Sequence, residues 1–257
     1  MRYNKDSVQG TFLFIACLCI FCSLMITGTA AGLKERAKAK ELALMKHSVL
    51  MAAGFGDHRG GDIDALFERQ IRPQIVELDS GELNDQIDPL TFDPNMAAAN
   101  PETSSKPKKD SARIGRRADQ GRAFTILDES GQFDGVVVPF HGKGLWSVIY
   151  GYIALEADLT TIRGLYVYEH GETPGIGDFL DDPAWQGQWH GKKLFNDDGK
   201  AAIKVVRGGA QPDDPFGVDG ISGATMSGRG VERAVQFWVG DEGFDAYLQH
   251  LAGMNKG

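Results

Sequence analysis

Apolar positions follow three different patterns along this chain. Residues 11–33 (TFLFIACLCIFCSLMITGTAAGL) carry no charge at all, and a helix of that length reaches roughly 33 Å, enough to cross the hydrocarbon core of a bilayer. The run predicts one transmembrane helix over 11–33 behind a short tail, 1–10. A cleaved secretory signal is the competing reading, because residues 12–26 have the length of an apolar signal core and residues 28–31 are small. Residues 34–56 then read as a basic and afterwards apolar juxtamembrane helix, ended by Gly54 and Gly56.

The remainder, 57–257, predicts a soluble domain. Residues 62–69 have a short helical pattern and 75–78 a short strand pattern. At 95–117 the composition shifts to Ala, Asn, Pro, Ser and Lys, which predicts a mobile loop rather than packed structure. Beyond Ala123 come AFTILDE, GVVVPF, WSVIYGYIALE and TIRGLYVYE, separated by closely spaced Gly and Asp. Such spacing predicts hairpins. A helical pattern over 178–189, the strand AAIKVV and one long amphipathic helix over about 227–249 complete the chain. The expected class is α+β, a twisted, mostly antiparallel sheet with packed helices, preceded by one transmembrane helix.

Composition narrows the functions. A chain of 257 residues with 42% apolar residues fits one domain plus an appendage. A net charge of -8 argues against a nucleic-acid partner, and KPKKD at 106–110 with Arg116 and Arg117 reads as solvated loop. Cys17, Cys19 and Cys22 all fall in the apolar run, so the domain has no disulfide framework and no CxxC pair. Redox work would need a bound cofactor. Arg2 and Lys5 precede the span whereas Lys34, Arg36, Lys38 and Lys40 follow it, a distribution that alone places the domain inside, although the rule weakens before a long domain.

The sharpest chemical signal is DGISGAT at 219–225, followed at once by the helical period of MSGRGVERAVQFWV. Small residues running into a helix start expose N–H groups and the positive end of the helix dipole, a place for a phosphate. Gly220 and Gly223 permit close approach, and Asp219 could hold the loop or a cation. From the residues alone, Ser222, Thr225 and Ser227 read more commonly as caps of the last helix. No Gly-Lys-Ser/Thr follows, and the G-x-G-x-x-G spacing is missing.

The string D-x-x-S-G-A-T resembles the flavinylation signature of the FMN-binding domain family, most closely its branch of C subunits of the sodium-translocating NADH:quinone reductase. GKGLW at 142–146 agrees with that family, and HGETPGIG at 170–177 is similar to its H-x-E-T-P-G-[LI]-G motif. The resemblance implies FMN esterified through its phosphate to Thr225 by a separate flavin transferase, beside Asp219, Ser222, Gly223 and Ala224. Trp146 and Ile176 are then expected to flank the isoalloxazine ring, with Glu172, Thr173 and the turn at Gly175 at its polar edge. Core packing is the alternative for Trp146, and His170 with Glu172 lacks a third ligand at metal spacing.

The resemblance further implies an electron-transfer subunit of a respiratory complex of the inner membrane, using NAD and ubiquinone, with its domain on the periplasmic face against the charge count. No catalytic acid, base or nucleophile is expected. With no Asp, Glu, Lys, Arg or His in 11–33, sodium translocation falls to partner subunits. The alternatives are the flavinylated subunit of a related ferredoxin-linked complex, separable by its partners, and a membrane-anchored binding module without redox chemistry, separable by its lack of colour.

Overall fold

The computed structural model describes residues 8–56 and 63–254; the first seven residues of the expected tail and Asp62 lie outside them. The chain divides into two compact units, one ending at Met45 and one beginning at Lys46. Helix α1 runs Val8–Ala52 without interruption, so the separate juxtamembrane helix expected from residue 34 is its continuation. Nothing in LKERAKAKELALMK breaks a helix, since it holds neither Gly nor Pro. Among the described residues α1 is the one helix long and apolar enough to cross a membrane, and Cys17, Cys19 and Cys22 are exposed on it.

The last turns of α1 belong to the second unit. Val49, Leu50 and Ala52 are buried, and Lys46 Nζ pairs with Asp64 Oδ1 at 2.5 Å. Gly54 ends the helix at φ +82°, where Phe55 N–H donates to Leu50 O at 3.0 Å.

Helix α2 (Ile63–Gln70) leads into β1 (Ile71–Glu77), and α3 (Pro94–Ala99) precedes the short strands β2 (Ser104–Ser105) and β3 (Arg117–Ala118). Then follow β4 (Gln120–Leu127), β5 (Phe133–Lys143), β6 (Val148–Glu156) and β7 (Ile162–Glu169). These form a five-stranded sheet in the order β1-β4-β5-β6-β7, antiparallel throughout. Pro73 sits on the edge strand β1, where a missing N–H is tolerated. A 3₁₀ turn (Asp178–Asp181) and α4 (Pro183–Gly187) occupy the expected helical stretch at 178–189, and β8 (Lys204–Arg207) pairs in parallel with β9 (Gly217–Gly220).

The long helix expected over 227–249 is two helices, α5 (Thr225–Val239) and α6 (Asp245–Met254). Gly240 and Gly243 break it: a Cβ on Gly243 would lie 2.1 Å from Trp238 O, and Phe244 N–H turns back to that same carbonyl at 2.7 Å. Helix α5 packs on β5 and β6, joining Val231, Ala234 and Val235 to Val136, Val138 and Ile153 in the core.

The segment 95–117 also departs from expectation. Asp93 caps α3 by accepting from Asn95 N at 2.9 Å and Met96 N at 3.1 Å. Ser104, Ala112 and Arg117 are buried. Arg117 reaches Asp79 Oδ1 and, at 2.8 Å, Glu242 O, which ties the segment to the rest of the domain. Polar composition concealed a packed segment.

Candidate functional site

The first turn of α5 is built by the residues before it. Gly223 adopts φ +86°, a conformation costly for residues with a Cβ, and Ala224 N–H closes the turn on Ile221 O at 3.1 Å. The N-cap is Ala224, which has no side chain to offer, so the amino end of this 15-residue helix is uncapped. Neither Ser222 nor Ser227 acts as the cap: Ser222 is exposed and Ser227 is buried and turned elsewhere. Thr225, the first helical residue, is half-buried. Its hydroxyl makes one long contact, to Ile221 O at 3.5 Å.

Asp219 holds the preceding loop. Its Oδ1 accepts from Ala210 N at 2.7 Å, while its own N–H donates to Gln188 Oε1 at 2.9 Å and its carbonyl accepts from Trp185 Nε1 at 2.8 Å.

Glu172 is the organising group. Its Oε1 accepts from Trp146 N at 3.1 Å, Ser147 N at 3.0 Å and Ser147 Oγ at 3.1 Å. Its Oε2 accepts from Leu145 N at 3.1 Å and Ser227 Oγ at 2.5 Å. One carboxylate thus fastens the β5–β6 hairpin, the loop after β7 and the first turn of α5 together. Burial pushes its pKa up, but the hydrogen bonds from Ser227, Ser147, Trp146 and Leu145 outweigh that and bring it to about 2. Both oxygens of Glu172 accept from protein donors.

Three glycines permit this closeness. A Cβ on Gly144 would lie 2.7 Å from Glu172 Oε1, one on Gly177 2.4 Å from Glu172 Cβ, and one on Gly230 2.8 Å from Gly144 Cα. These contacts give the GKGLW and ETPGIG glycines a packing reason.

The turn at 173–177 stands outside this knot. Ile176 and Gly177 N–H donate to Thr173 O at 3.1 and 2.7 Å, with Gly175 at φ +78° and its N–H on Asp178 Oδ2 at 2.7 Å. Thr173, Gly175 and Ile176 are exposed. Trp146 is 66% exposed, which removes the core-packing alternative, and Leu145, Ile176 and Met226 also present apolar surface. All four hang from elements tied to Glu172. His170 Nδ1 accepts from Glu172 N at 3.2 Å, and its Nε2 lies 3.1 Å from Asp181 Oδ2.

Sequence reasoning missed Ser147 altogether and treated Ser227 as a cap. Neither carries a local signal, because their partner is 25 and 55 positions away.

The arrangement offers a lightly engaged hydroxyl at the positive end of a helix, next to exposed apolar groups on rigidly tied loops. A family model described as FMN-binding domain matches residues 144–240, a span running from the hairpin to the end of α5. Over 252 residues the chain is 38% identical to the C subunit of the Na(+)-translocating NADH-quinone reductase of Yersinia pestis, covering 96% of this chain and 94% of that protein. It is 37% identical over 250 residues to the protein of the same name from Vibrio alginolyticus, covering 96% of each. The crystal structure of Shewanella oneidensis NqrC superposes with a TM-score of 0.81 at 51% identity, covering 84% of this chain and 99% of that one.

Proposed function

Because the chain belongs to the family of C subunits of the Na(+)-translocating NADH-quinone reductase, we propose that it is the electron-transfer subunit that carries FMN in such a complex, joined by a phosphoester to the Thr225 hydroxyl. The observation that carries this reading is the setting of Thr225, at the uncapped amino end of α5 with its hydroxyl held only by a 3.5 Å contact. Free N–H groups and the dipole of that end favour a phosphate ester there.

The residues fit the group in a second respect. Trp146 and Ile176 offer apolar surface for a flat ring, and the turn at Gly175 offers backbone polar groups beside it. FMN would supply one- and two-electron transfer. The protein's part is positional: Glu172 fixes the distance between the Trp146 hairpin and the Thr225 turn, and Asp219 holds the loop leading into it. The other subunits of the complex are the partners, with a flavin transferase during maturation.

In-gel flavin fluorescence after denaturing electrophoresis tests the attachment, comparing wild type with Thr225→Ala, each expressed beside a flavin transferase. Only the wild-type band is expected to fluoresce; fluorescence from both would move the attachment elsewhere.

The reading includes α1 as a membrane anchor with the domain on the periplasmic side. The uncharged run 11–33 supports the anchor and family membership the side, whereas Lys34, Arg36, Lys38 and Lys40 favour the opposite. Protease added outside spheroplasts is expected to digest the domain; protection until lysis would reverse the orientation.

A further inference from the structure

Between β8 and α5 lies an open cleft of about 610 Å3, walled by Lys204 and Arg207 on one side and by Arg229, Glu232 and Arg233 on the other. The chain as a whole is acidic, with a net charge of -8, yet this cleft collects cations. Its acids are already engaged: Asp214 pairs with Lys204 Nζ at 3.0 Å, and Glu232 Oε2 accepts from Val205 N at 2.6 Å. Among the described residues Arg207, Arg229 and Arg233 form no ion pair.

Arg233 is the most telling of the three. Its Nε and Nη2 are buried without a hydrogen-bond partner. Burial, the Arg113 guanidinium and Arg229 all push its pKa down, with Glu232 acting the other way. Arg229 and Arg233 stand four residues apart on α5, a spacing at which like charges repel along one helix face. An unliganded cleft therefore holds crowded, partly desolvated guanidinium groups, an arrangement that an anion relieves.

We propose that this cleft is a binding site for a small anion bearing two or more phosphoryl groups. Guanidinium forks recognise phosphate oxygens in pairs, and arginines on two facing walls suit a ligand that presents phosphoryl oxygens to both sides. The inward placement of Arg233 suits a small ligand that enters the cleft better than a protein surface laid across it. Thr225 does not line the cleft, but Arg229 follows it by one helical turn, so the titration uses the chain expressed without a flavin transferase.

Isothermal titration of the full-length chain in detergent micelles with inorganic pyrophosphate, ADP and orthophosphate tests this, with Arg207→Ala/Arg229→Ala as the variant. Both side chains are exposed, so the fold should persist. Wild type should bind pyrophosphate one-to-one, with the double variant and orthophosphate each weaker by roughly tenfold or more. ADP binding equal to pyrophosphate would assign the diphosphate alone as the recognised group, and tighter binding would add the nucleoside. No saturable pyrophosphate binding, equal affinity in the variant, or binding only of an acidic peptide would overturn the proposal. Repeating the titration on Thr225→Ala should change nothing.

Discussion

Glu172 is 5% exposed and accepts hydrogen bonds from three backbone N–H groups and two hydroxyls. Removing the carboxylate strands those donors, at about 1–3 kcal/mol for each one left buried and unpaired. Glu172→Ala is therefore expected to destabilise the domain by about 3 kcal/mol or more, lowering Tm by about 6–12 °C for a domain of this size. Glu172→Gln should fall between, since its amide nitrogen meets a donor where an acceptor stood. Trp146→Ala, at an exposed position, should stay within about 0.5 kcal/mol of wild type. Thermal melts followed by circular dichroism check all three, and equal melts for Glu172→Ala and wild type would remove the carboxylate from its structural role.

At the scale of elements, the decisive contact is α5 against the β5–β6 hairpin. A Cβ on Gly230 would meet Gly144 Cα at 2.8 Å and Lys143 O at 3.1 Å, backbone atoms that cannot swing aside. Gly230→Ala gains about 1 kcal/mol of helix propensity but forces helix and hairpin apart at about 1–3 kcal/mol. A lower Tm together with a weaker covalent-flavin band is expected; a rise in Tm would show that the hairpin yields freely. The sheet strands were legible because AFTILDE, GVVVPF, WSVIYGYIALE and TIRGLYVYE carry strand-forming residues between turn residues. The break in the last helix was less so, since its cause is the approach of Gly243 to Trp238 O rather than any local preference. The position of Thr225 was readable from a contiguous string. The role of Glu172 was not, because its donors come from 145–147 and 227. Arg229 and Arg233 likewise resemble an ordinary solvated helix face until β8 closes over them.

For the whole molecule, acid sensitivity follows from two groups of opposite character. His141 stacks on Tyr150 at 5.6 Å and leans on Trp238 at 4.7 Å, and burial lowers its pKa to about 4. Between pH 6.5 and 4 the unfolded chain binds a proton there that the folded chain refuses, so stability falls as pH drops through that window, by up to about 3 kcal/mol. Glu172 acts lower: its contribution is present above its ordinary pKa of 4.5 and is lost as pH falls towards about 2. Tm measured against pH should thus decline from 6.5 to 4 and again below it. His141→Gln should flatten the first decline alone, and an unaltered profile would assign it to other groups.

The confinement of Cys17, Cys19 and Cys22 to α1 leaves every residue beyond 22 without a thiol. With the flavin at Thr225, as proposed, an oxidant arising there meets no thiolate to convert into a sulfenic acid or a crosslink. The sulfur it does meet is the neighbouring Met226 thioether, 44% exposed, whose oxidation to the sulfoxide is reversible and joins no two chains. Wear at the redox centre would therefore register as a local gain of polarity rather than as covalent aggregation.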